Sequence, residues 1–252
     1  GNYGYIDFTG STSTLAGTGT VLFVGTSGND TIRTVTAGMT LTLNSGITVR
    51  GTSGSIGYSS GLGGRADVHI VNKGTVRAET AGKAFNLRAD NGWENQGTVE
   101  AAAGANLNFQ SNWSNSGTLR ISGGGTMDLP NTGTFTASAA PLTATDASTV
   151  NLRGTLNNSN NTLSFSGDGR FLLLGGQING GSLAAGSTLF ATTSGGILNG
   201  VTLDGNLDLT QANGVTVTVV NGLTLNGTAT LGNAGNYGYI DFTGSTSTLA
   251  GT

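Results

Sequence analysis

The sequence predicts an all-β solenoid of stacked parallel coils. Three observations carry that prediction. Apolar residues alternate with Thr, Ser, Asn and Asp along almost the whole chain, the period of a strand with one buried face. A motif that joins a short strand to an Asn- and Gly-containing turn recurs about every 20 residues in the first half, which is the signature of a coil repeat. No stretch carries a helical period: the best candidate, Ala101-Ala102-Ala103, is closed at once by Gly104.

Taken in chain order, strand signals appear at Val21-Leu22-Phe23-Val24, at Met39-Thr40-Leu41-Thr42-Leu43 and at Leu163-Ser164-Phe165. They continue through Val201-Thr202-Leu203, Leu207-Asp208-Leu209, Val215-Thr216-Val217-Thr218-Val219 and Leu223-Thr224-Leu225. Gly-Asn, Asn-Gly and Gly-Gly pairs lie between such runs and supply positive φ at turns.

The short motif sets a register. Asn72-Lys73-Gly74-Thr75-Val76 recurs as Asn95-Gln96-Gly97-Thr98-Val99, as Asn115-Ser116-Gly117-Thr118-Leu119 and as Asn131-Thr132-Gly133-Thr134-Phe135, at steps of 23, 20 and 16 residues. Arg65-Ala66-Asp67 matches Arg88-Ala89-Asp90, also 23 apart. Trp93 and Trp113 stand two residues before the motif Asn, a slot filled by Ile70 and Leu129 in the other copies. In this register Trp93, Trp113, Val99, Leu119, Ala101 and Ile121 share the inward parity. The two indoles are therefore expected as a stacked core pair rather than a sugar platform. Asn72, Asn95, Asn115 and Asn131 share that parity at a turn and are expected to form an amide ladder. Arg77, Glu100, Arg120 and Thr136 take the outward slot, an alternating-charge row expected to be a weakly paired solvated face.

A longer repeat frames the chain. Residues 1–18 and 235–252 are identical at every position, so the period is 234. The expected organisation is one solenoid unit, 1–234, followed by the start of the next identical repeat, 235–252. At about 20 residues per coil the unit would hold roughly 12 coils and measure ~55–60 Å.

Composition removes several functions. Of 252 residues, 45 are Gly, 9% are charged and the net charge is −3. Ten basic residues without a positive patch argue against a nucleic-acid partner. The absence of Cys excludes disulfides, iron–sulfur clusters and thiolate zinc, and the single His excludes a His-rich metal centre. No apolar run approaches 18 residues, so no transmembrane helix is expected.

Candidate chemistry is sparse. Asp67 and His69 share an outward face with Arg88 and Asp90 one coil on, and Asp204 and Asp208 make a second acidic pair. Paired carboxylates on a solenoid wall are what glycan cleavage would need. Thirteen acids place such pairs by chance, so no catalytic, cofactor-binding or metal residue is assigned. Gly28-Asn29-Asp30-Thr31-Ile32 echoes a calcium-binding nonapeptide, but one copy cannot complete an oxygen shell and is read as a turn. The sequon Asn112-Trp113-Ser114 is expected by composition alone. Tyr3, Tyr5 and Asp7 alternate with Ile6 and Phe8 and are expected to point outward; the tyrosines recur as Tyr237 and Tyr239.

The runs Ser13-Thr14-Leu15-Ala16-Gly17-Thr18-Gly19-Thr20-Val21 and Leu41-Thr42-Leu43-Asn44-Ser45-Gly46-Ile47-Thr48-Val49-Arg50-Gly51 carry a resemblance, as do the Asn-x-Gly-Thr repeats and Gly200-Val201-Thr202-Leu203-Asp204-Gly205-Asn206-Leu207. The pattern resembles the secreted repeats of bacterial filamentous-haemagglutinin-like and autotransporter-like adhesins. That resemblance implies a right-handed parallel β-helix, secretion and an extended stalk or fibre at the cell surface. The resulting expectation is a structural, non-enzymatic repeat unit of an extracellular bacterial fibre, filament or sheath. Its partners would be copies of itself, with surface glycans as a second candidate. The alternative is a stalk segment of a giant adhesin, and the third reading is a polysaccharide-active β-helix enzyme.

Overall fold

The structure, a computed structural model, describes residues 3–129, 132–135, 141–244 and 247–251. Among the described residues there are 32 strands and no helix. Every strand–strand ladder is parallel, and the strands form sheets of 11, 14 and 7. These sheets are the three walls of a β-solenoid. The first coil contributes Tyr5–Phe8, Thr12–Leu15 and Gly19–Phe23, one strand to each wall. The first wall then climbs through Thr31–Thr34, Gly54–Gly57 and Ala84–Arg88 and ends at Ala229–Thr230, eleven coils in all.

Ten steps of roughly 23 residues replace the expected 12 coils of 20. The coils differ in length. Leu172 pairs with Phe190, a step of 18, whereas Gly54 pairs with Phe85, a step of 31. The long step carries the insertion 58–68, closed on itself by a Ser59–Gly63 bridge and held by Arg88 lying 4.6 Å from the Tyr58 ring. Ten steps at ~4.8 Å give a rod of ~48 Å, shorter than the sequence suggested.

The unequal sheets have a local cause. Ile197–Leu203 and Val215–Leu225 run unbroken round the corner between the second and third walls, joining them in the last coils. The register shifts between Asn199 and Val201, and the bend is made by positive φ at Gly200 (61°), Asn221 (56°) and Gly222 (85°).

The alternation read from the sequence fills most inward slots with apolar residues. In the first wall Ile6, Ile32, Ile56 and Leu87 stand in one register, as do Leu129, Leu152 and Leu173 higher up. From Ile32 onward this column is buried, each large aliphatic contributing about 1.5–3 kcal/mol. Trp93 and Trp113 pair in register and are 1% and 5% exposed, so both are core residues.

The fourth motif copy is out of the expected register. Trp113 pairs with Gly133 and Asn115 with Phe135, while Leu129 lies in the first wall against Leu152. Asn131 and Thr136 lie outside the described residues; the residue that pairs with Arg120 is Thr143. A 16-residue step is too short to circle the core. Glycine at 133 has a steric reason: a Cβ there would stand 2.1–2.3 Å from the Trp113 indole.

The two copies of the framing repeat occupy different walls. Tyr5–Phe8 lies in the first wall beneath Thr31–Thr34. Its counterpart in Gly238–Thr243 lies in the second, on top of Val215–Leu225.

Candidate functional site

Four features of the surface and its polar lining bring chemistry-bearing groups together. The first is the amide ladder. Asn72 Nδ2 donates to Asn95 Oδ1 at 2.8 Å, and Asn95 Nδ2 to Asn115 Oδ1 at 2.7 Å. The same amides reach the carbonyls of Thr98, Thr118 and Gly117 at 3.2, 3.1 and 3.0 Å. All three side chains are buried, so the ladder satisfies turn groups that water cannot reach. It starts at Asn72 because the residue beneath is Leu43, and Asn72 Oδ1 consequently has no donor. A second ladder, Asn157–Asn179–Asn199–Asn221, has steps of 3.2, 3.0 and 2.7 Å and is more exposed. Sequence reasoning missed it. The available signal was an aliphatic–Asn pair recurring as Leu156-Asn157, Ile178-Asn179 and Leu198-Asn199.

The second feature is the charged row. Arg50, Arg77, Glu100 and Arg120 stack in register on the third wall. Glu79 joins them, 3.0 Å from Arg50 and 3.4 Å from Arg77, while Glu100 stands 3.9 Å from Arg77 and 4.0 Å from Arg120. The acids interleave the arginines; the arginine side chains are 43–53% exposed whereas Glu79 and Glu100 are 25% and 16% exposed, and the alternating signs leave no concentrated field.

The third is the acidic face. Arg65 forks onto Asp67 at 2.8 and 2.7 Å, and Arg88 onto Asp90 at 3.1 and 3.2 Å, so the repeated Arg-Ala-Asp triplet is a pair of self-contained ion pairs. His69 Nε2 lies 3.5 Å from Glu94. The Arg65 fork holds the Asp67 carboxyl below its ordinary range. Asp208 is also lowered: burial works to raise it, but the backbone N–H and hydroxyl of Thr210 and the Gln211 amide outweigh burial. A general acid needs the opposite shift. Asp204 accepts from Asn226 at 2.8 Å and shares no partner with Asp208. Asp30 is buried and accepts the Gly4 and Gly25 N–H groups at 2.9 and 2.7 Å, so it clamps the turn between the first two coils. Among the described residues no group of three or more His, Asp or Glu is placed to hold a metal ion.

The fourth feature is the pair of end coils. The exposed large apolar residues among those described are Tyr3, Tyr5, Ile6, Leu22 and Val24 in and beside the first coil, and Leu231, Tyr237, Tyr239 and Leu249 in the last. Tyr3, Tyr5, Ile6, Leu22 and Val24 line one apolar cleft with Asp30 beside it. Tyr3 and Tyr5 stack at 6.3 Å, and Tyr5 carries the Arg33 guanidinium 4.3 Å from its ring. Arg33 in turn forks onto Asp7 at 2.7 and 2.6 Å. The tyrosines and Asp7 thus point outward, as their alternation with Ile6 and Phe8 predicts. The strands of both end coils also present backbone groups on one edge that pair with no described strand.

No helix among the described residues is long and apolar enough to cross a membrane. Compared with known protein families, curated proteins and solved structures, the chain matches none.

Proposed function

We propose that this chain is a structural repeat unit of an extracellular bacterial fibre, filament or sheath, built by end-to-end stacking of solenoid units. One observation carries the reading: among the described residues, exposed large apolar side chains are confined to the two end coils, where strand edges also pair with no described strand. Unpaired edges flanked by apolar surface invite another β-structure. Stacking continues the backbone ladders and the aliphatic column across the joint, and the 234-residue repeat supplies the next coil in sequence. The walls between the ends offer surface ion pairs and the partly exposed Asn157–Asn221 ladder, which suit a solvated shaft. The extracellular and bacterial setting rests on the sequence resemblance to secreted surface repeats.

Electron microscopy of three tandem units tests the proposal. Unbranched filaments with an axial repeat near ~50 Å, set by ~4.8 Å coils, support it. Compact particles without that repeat refute it. Isolated rods that never join end to end would instead favour the stalk.

A further inference from the structure

We infer that successive units join through a shared 18-residue segment, and that each unit is turned about a third of a revolution from the one before. The inference deepens the stacking proposal and rests on it. The joint is visible in two halves, because its central segment occurs twice. Residues 235–252 show what lies beneath that segment, and residues 1–18 show what lies above it.

Below, Ile240 pairs with Val217, Asp241 with Thr218 and Phe242 with Val219, while Leu249 pairs with Leu223. Above, the matching residues Ile6, Asp7, Phe8 and Leu15 pair with Ile32, Arg33, Thr34 and Leu43. The two sets of bonds use opposite edges of the same strands, so both form at once. The parity also agrees. Ile6 and Phe8 take the slots beneath buried Ile32 and Thr34, and Ile240 and Phe242 take the slots above buried Val217 and Val219. Each half leaves its apolar residues partly open: Ile6 is 38% exposed and Leu249 60%. Superposing the halves encloses both.

The turn follows from the walls. The segment beginning at Tyr5 enters the first wall, and its copy beginning at Tyr239 enters the second. Thr12–Leu15 lies in the second wall, whereas Leu249–Ala250 continues the stretch of Val215–Leu225 that has turned the corner. A 234-residue advance therefore climbs ten coils plus one wall. The second wall of one unit becomes the first wall of the next.

Between separate chains the occupant of the open edge is a second copy. Residues 235–252 of one copy take the place of residues 1–18 beneath Thr31–Thr34 and Thr40–Leu43 of the other. The Arg33 fork then closes on Asp241, under the ring of Tyr239. The exchange replaces like with like above the segment and adds the Val215–Leu225 contacts below it.

Two single substitutions in the full chain separate this joint from any other. Asp7→Lys sets like charges together in the resident segment only, and Asp241→Lys does so in the donated segment only. Sedimentation velocity should show Asp7→Lys associating more tightly than Asp241→Lys by about tenfold or more. Equal association of the two overturns the joint while leaving end-to-end stacking intact. No association in the parent chain or either variant overturns both. The chain has no Cys, so a cross-linking arm is clean. Chains carrying Asp241→Cys mixed with chains carrying Arg33→Cys should form a disulfide-linked dimer, since paired positions on neighbouring strands lie within disulfide reach. A control pairing Asp241→Cys with Arg50→Cys should not. Failure of the first pair in chains that remain β-structured by circular dichroism overturns the inference.

Discussion

Replacing Asn95 with Ala should be among the most costly single changes in the polar lining. Asn95 accepts from Asn72 at 2.8 Å and donates to Asn115 and to the Thr118 carbonyl at 2.7 and 3.1 Å, and it is 1% exposed. Three net hydrogen bonds at about 1 kcal/mol each give about 3 kcal/mol. Partners stripped of a bond where water cannot follow add about 1–2 kcal/mol. The expected loss is therefore about 4–5 kcal/mol, a large part of the stability of an ordinary domain. Asn199→Ala is the control. Asn199 also makes two ladder bonds, at 3.0 and 2.7 Å, but is only half-buried. Water replaces those bonds, and the cost should be about 1 kcal/mol or less. Urea unfolding followed by far-ultraviolet circular dichroism measures both, with an unchanged denaturant slope as the check that the same transition is compared. Losses that agree within about 1 kcal/mol would refute the argument that burial gives the first ladder its value.

Three further outcomes are expected. Leu43→Asn places an amide beneath Asn72 Oδ1, which has no donor, whereas Leu41→Asn gives an equally buried amide nothing comparable; the first should be less destabilising by about 1–2 kcal/mol in the same urea assay. Gly133→Ala drives a Cβ into the Trp113 ring and should cost about 3 kcal/mol or more, with a change in tryptophan emission, and Trp113→Val in the same chain should recover part of the loss. The Arg33 fork lowers the Asp7 pKa below its unfolded value, so its contribution is complete above about pH 4 and is lost as pH falls through the lowered value. Amide protection factors in Thr31–Thr34, measured against the intrinsic exchange rate at each pH, should therefore fall on acidification below about pH 4, and Asp7→Asn should remove that step.

The parity of the chain was the most legible property. Alternation is a local rule, and it placed Trp93 and Trp113 in the core, Asn72, Asn95 and Asn115 in a ladder, and Arg77, Glu100 and Arg120 in an outward row. The coil length was less legible. The motif that sets the 20- and 23-residue steps occurs in tightly wound coils, while the first three coils carry wide turns and the insertion 58–68, which repeat nothing. The fourth motif copy matched in letters, but three walls and their turns need at least the 18 residues of the shortest observed coil. Asp30 shows the remaining limit. Its role depends on two amide groups, at Gly4 and Gly25, that only the coil geometry brings to it. Nothing in the spacing of the sequence marks them.

The strands lie across the long axis, so the hydrogen bonds between coils run along it. A tensile load on the two ends would pull those bonds apart one coil at a time rather than shear a whole sheet at once. Each coil released frees roughly 23 residues, about 75 Å of extended chain, in exchange for ~4.8 Å of rod. The shaft would resist bending, because three walls brace one another, yet yield under tension in small regular increments. Under tension the rod becomes a spool that dissipates load while its remaining coils stay wound.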